Sequence, residues 1–143
     1  MKPPITSVEV SYLIHATEDE KKVCDAVARL LGGDPVMQRE ALEGHFGNRI
    51  VRIRIHLTGD VASLAFRHIV AGLPRQVRAA VSDRLAAFVD EHSALYLRLD
   101  KQRLISGTAE IGTTDSIRVK VKPRLFAMQR GALEFYSNEL EGT

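Results

Sequence analysis

From Val51 to Leu57 the odd positions are Val, Ile, Ile and Leu, and the even ones are Arg52, Arg54 and His56. Successive side chains on a strand point to opposite faces, so this run predicts a strand with one apolar and one basic face. The same phase recurs in Ile117-Arg118-Val119-Lys120-Val121-Lys122, which Pro123 stops from extending as a central strand. Ala94 to Asp100 alternates again, leucines inward and Tyr96, Arg98 and Asp100 outward. A first strand has Val8, Val10, Tyr12 and Ile14 alternating with Ser7, Glu9, Ser11 and Leu13, and ends at His15-Ala16.

Between these runs the period changes to that of a helix. Thr17-Glu18-Asp19-Glu20 has capping-box spacing, with Thr17 as the cap and Glu20 reaching back to it. Val23, Ala26, Val27, Leu30 and Leu31 form the stripe that follows, and Gly32-Gly33 supplies the stop. Val36 to Glu43 reads as one arm of a hairpin whose loop is Gly44-His45-Phe46-Gly47-Asn48. Thr58-Gly59-Asp60 breaks the next strand, and Asp60 is positioned to cap a helix over Val61 to Leu73. Pro74 suits the first turn of a further helix, whose stripe Val77, Ala80, Val81, Leu85, Phe88 and Val89 runs to about Glu91. Lys101 to Glu110 fits a short helix or an irregular crossing. The tail from Met128 carries Leu133, Phe135, Tyr136 and Leu140, which suits a docking helix or a partner-binding segment.

The predicted order is β-α-β-β-α-α-β-(x)-β. Strands with one polar face favour a mainly antiparallel sheet with helices packed on its other face, a two-layer α+β sandwich. At 143 residues a single domain is expected, with its core over about 6–122 and a tail over 123–143.

Composition adds little until the charges are placed. The 20 Lys and Arg against 18 Asp and Glu leave a net charge of +2, which permits an anionic partner without requiring one. One cysteine, Cys24, excludes an internal disulfide and fits a reducing compartment. No apolar run approaches the roughly 18 residues of a membrane span, and Met1-Lys2-Pro3-Pro4 lacks a signal-peptide core, so a cytoplasmic protein is expected. The five histidines show no metal-binding spacing, and there is neither a phosphate-binding loop nor a dinucleotide fingerprint. The expectation is a protein without enzyme activity, metal or cofactor. His15 beside Glu18 reads as structural, and Cys24 as packing within the first helix.

If the alternating strands share one sheet, Arg52, Arg54, Arg98, Arg118, Lys120 and Lys122 gather on one surface with Tyr96. Such a face can hold phosphates and offer Tyr96 to an unpaired base. It also reads as a solvated, edge-protecting face. The loop candidates are His45, Asn48 and Arg49, beside backbone N–H groups that could form an anion nest, or else a plain hairpin turn. After Asp100, Lys101 could extend the basic surface and Gln102 could read a base edge, or Asp100 could pair with Lys101 or cap the next segment.

Four blocks carry a resemblance: His15-Ala16-Thr17-Glu18-Asp19-Glu20, Leu42-Glu43-Gly44-His45-Phe46-Gly47-Asn48, Leu95-Tyr96-Leu97-Arg98-Leu99-Asp100-Lys101-Gln102, and Asp115-Ser116-Ile117-Arg118-Val119-Lys120-Val121-Lys122. Taken in order, they resemble the archaeal RNA-binding-protein family described as a predicted exosome subunit, over about Val8 to Lys122. The resemblance implies an α+β sandwich similar to the ribosomal protein that binds 5S rRNA, an archaeal cytoplasmic setting, and a role in RNA binding. RNA and subunits of an RNA-processing complex are the partners it suggests. The tail after Pro123 matches none of it, which leaves a homodimer contact or an assembly module without direct RNA binding as the alternative role.

Overall fold

The computed structural model describes residues 5–44, 47–124 and 129–142. Five strands, β1 (Ile5–His15), β2 (Gln38–Glu43), β3 (Arg49–Thr58), β4 (Leu95–Asp100) and β5 (Ser116–Pro123), form one sheet in the order β2-β3-β1-β5-β4. Every neighbouring pair is antiparallel. The helices are α1 (Glu20–Leu31), α2 (Gly59–Gly72), α3 (Arg75–Asp83), α4 (Lys101–Ile105) and α5 (Gln129–Glu141).

The alternation of the strands builds the two layers directly. Ile55, Val10, Val119 and Leu97 stand opposite one another across β3, β1, β5 and β4, and all four are buried. They meet the stripes Val23, Ala26, Val27 and Leu30 of α1 and Ala62, Ala65, Phe66 and Ile69 of α2 in one continuous core. The fold is the expected α+β sandwich, with the helices on one side of an open antiparallel sheet.

Several local expectations change. The cap of α1 is Asp19, whose side chain accepts from the Lys22 N–H at 3.2 Å, rather than Thr17. Glu18 is thereby released for contacts across the fold. Gly32 ends the helix at φ 80°, and an added Cβ there would lie 2.7 Å from the His68 ring. Asp60 does not cap α2; it sits in the first turn, after Thr58. The helix expected from Pro74 to about Glu91 ends at Asp83, followed by a 3-10 turn at Leu85–Ala87 and a tight return in which the Tyr96 N–H donates to the Phe88 carbonyl at 2.7 Å. The ambiguous crossing begins with the short helix α4, capped by Asp100, which accepts from the Arg103 N–H at 3.0 Å.

The tail is a docked helix. Ala132, Tyr136 and Leu140 recur every four residues and are buried in the same core. Tyr136 donates to the Ser93 carbonyl at 2.7 Å, and its ring packs edge-on against Phe66 and Phe135 with centroids 6.2 and 5.5 Å away. Tyr136 and Leu140 therefore lie in the chain's own core, and Leu133 and Phe135 are half-buried against it.

Candidate nucleic-acid interface

The face of the sheet away from the helices carries the even positions of β3, β4 and β5 and the odd positions of β1 from Ser7. Pairing aligns them in rows. Arg54 stands opposite Ser11, Ser11 opposite Arg118, and Arg118 opposite Arg98, so one row crosses four strands with three guanidinium groups. All three arginines are exposed, and among the described residues none has a carboxylate within ion-pairing distance. Like charges placed directly opposite on neighbouring strands destabilise a sheet, which makes the Arg98–Arg118 pair a place that an anion would relieve. The next row holds Glu40, Arg52 and Leu13, with Arg52 and Glu40 3.3 Å apart. The row on the other side holds His56, Glu9, Lys120 and Tyr96.

A hollow of about 610 Å³ opens on this face. The row of Arg54, Arg118 and Arg98 contributes to its lining, and Arg52, His15, Thr113, Thr114, Asp115 and Ser116 line it as well. Leu13, 37 % exposed, lines it too and stands opposite Arg52 in the next row. The rim loop is held against the edge of β4: the Asp100 N–H donates to Glu110 at 2.8 Å, and the Gly112 N–H to Arg98 at 2.8 Å. Gly112 is required there, because an added Cβ would come within 2.9 Å of the Asp100 Cα.

The structure places the expected site residues unequally. Arg52, Arg54, Arg98 and Arg118 converge on the hollow. Lys120 and Tyr96 lie one row away and interact with each other; the ammonium sits 5.3 Å from the ring centre, and the Tyr96 hydroxyl raises the Lys120 pKa. Lys122 is exposed at the far end of β5, outside the hollow.

Lys101 is a correction. It is 1 % exposed, and its Nζ donates to the Leu13 carbonyl at 2.8 Å, Glu18 at 2.8 Å and Asp115 at 2.9 Å. A fully partnered ammonium under the surface cannot extend the basic face. Gln102 is likewise engaged, donating to Glu18 at 3.1 Å. In the hairpin loop, the Gly44 N–H donates to Asn48 at 2.6 Å and the Gly47 N–H to Gly44 at 3.2 Å, so these two donors close the turn instead of opening an anion nest. Asn48 and Arg49 are exposed, but Arg49 has the phase of Val51 and Ile53, and its charge acts on Glu20, on the helix side. His45 lies outside the described residues.

Sequence reasoning missed Leu13, Thr113 and Thr114 as part of the site. It read His15 as structural beside Glu18 and did not connect it with Asp115, yet these come 3.4 Å apart. Together with Glu18 they bring three donor groups within 4.8 Å of one another, a geometry suited to a cation. The Lys101 ammonium already lies between the two carboxylates and supplies that positive charge.

A family model described as RNA binding matches residues 7–123. The chain is 28 % identical over 134 residues to an RNA-binding protein of Pyrococcus abyssi, covering 89 % of this chain and 87 % of that one. A solved DUF54 protein from Methanothermobacter thermautotrophicus superposes with a TM-score of 0.80 at 31 % identity, covering 96 % of this chain and 99 % of the other. A DUF54 protein from Sulfolobus solfataricus shares the fold, with a TM-score of 0.74 at 20 % identity over 92 % of this chain and 98 % of that one.

Proposed function

The chain belongs to the RNA-binding family, and from that premise we propose that it is a non-catalytic RNA-binding protein that contacts RNA through the open face of its sheet. One observation carries the reading: Arg54, Arg118 and Arg98 share a cross-strand row, and among the described residues none of them has a carboxylate within ion-pairing distance. Guanidinium groups left unpaired in a hollow are suited to phosphate oxygens, which they can bind in a two-pronged geometry. RNA processing in an archaeal cytoplasm is the setting that agrees with this role, with exosome subunits as candidate neighbours. RNA recovered by crosslinking from native cells would identify the targets.

The test is a titration of RNA across a salt series. Each phosphate contact contributes about −0.7 to −0.9 to the slope of log K against log salt. Replacing Arg54 and Arg118 together with alanine should weaken binding and flatten the slope by about 1.4 to 1.8 if each contacts one phosphate. An unchanged slope would remove the open face from the interface.

A further inference from the structure

We infer that the hollow on the open face holds a single unpaired ribonucleotide, with its phosphate against Arg54, Arg118 and Arg98 and its base over Leu13. The inference rests on the reading that this face binds RNA, and specifies which part of an RNA it takes.

Three observations lead to it. First, the cationic row is short. Neighbouring strands are about 4.8 Å apart, so Arg98 and Arg54, three strand spacings from each other, are separated by about 14 Å at the backbone. Proteins that recognise an RNA duplex by its shape track it over about 16 base pairs, a far longer footprint. Second, Leu13 is exposed beside Arg52, one row from the row that holds Arg54 and Arg118. An apolar side chain there has nothing to gain from a phosphodiester, whereas the face of a base or ribose can cover it, and a guanidinium plane can stack on the same base. Third, the rim contributed by the loop before β5 is of the wrong charge for a phosphate. Asp115 repels one, while Thr113 and Thr114 can donate to or accept from a base edge. The hollow thus has a cationic end, an apolar floor and a hydrogen-bonding rim, and its volume of about 610 Å³ falls in the range of small-ligand sites.

Hydroxyl groups pair with donors and acceptors alike, and one oxygen of Asp115 is already taken by Lys101. The rim therefore distinguishes unpaired from paired nucleotides and does not select among bases.

The experiment compares three RNA probes by fluorescence anisotropy at one salt concentration: a blunt duplex, the same duplex with one bulged nucleotide, and that bulge with its base removed. The bulged duplex should bind about tenfold more tightly than the blunt one, as stacking one base contributes. The abasic bulge should lose most of that gain, and changing the bulged base should alter affinity by less than about threefold. Leu13→Asp and Leu13→Ser should bring the bulged duplex down to the blunt one while the thermal midpoint stays near the parent's, since Leu13 is partly exposed. Equal affinity for blunt, bulged and abasic probes overturns the proposal. If the arginine substitutions still flatten the salt slope in that case, the face binds RNA but holds no single nucleotide; if no probe binds, both readings fall.

Discussion

Lys101 was expected on the basic surface because it follows an alternating strand and precedes another cation. It is instead a buried cross-link joining the end of β1, the segment before α1 and the rim loop before β5. Removing one member of a buried ion pair leaves the other charge without a partner, so Lys101→Met should destabilise the fold by about 3 kcal/mol, read from the urea midpoint. Lys101→Arg should not restore stability, because a planar fork cannot occupy the site of a compact ammonium.

Two tyrosines make a prediction at high pH. Burial is the main cause that pushes the phenols of Tyr12 and Tyr136 well above their ordinary value of 10.0. The unfolded chain therefore loses these protons at a lower pH than the folded chain does. Stability is complete below pH 10.0 and falls as pH rises past it, by about 1.4 kcal/mol per pH unit for each phenol. Tyr136→Phe should halve that decline in denaturant melts taken above pH 10.0, at a cost near neutrality of about 1 kcal/mol for the hydrogen bond to Ser93.

At the scale of elements, α5 and the rim loop have different consequences. Tyr136 is fully buried beside Phe66, so Tyr136→Ala should cost about 3 to 5 kcal/mol, as for other large aromatic truncations in a core. A normal melting temperature in that variant would contradict the docking of the tail. The rim loop is governed by Gly112, where Ala would press on the β4 backbone. Gly112→Ala should displace the rim and lower RNA affinity more than it lowers the melting temperature, a divergence that paired binding and thermal measurements can detect. Of the expected stripe Val81 and Leu85 are buried and Val77 is half-buried against the core, whereas Ala80 is exposed, and the chain leaves the α-helix after Asp83. Helical and 3-10 turns bury nearly the same positions, so periodicity could not see the break. What decides it is the return of the chain into β4, where Val89 pairs with Leu95.

For the molecule as a whole, a net charge of +2 understates its surface. Four arginines line one hollow on one face, so RNA binding should depend strongly on salt despite the nearly balanced totals. The sequence by itself determined the phase of each strand. Alternation in Val51–Leu57, Leu95–Asp100 and Ile117–Lys122 decides which side chains leave the core, because strand geometry is local and repeats every two residues. That much made the layers and the identity of the outward cations legible. Only the tertiary structure decided which of them become neighbours. Seating β5 between β1 and β4 brings Arg118 beside Arg98 and near Arg54, while Lys120 and Lys122 fall in other rows. The burial of Lys101 has the same origin. Its partners Glu18 and Asp115 lie 83 and 14 residues away, and no local pattern records which distant carboxylates the folded sheet will bring to it.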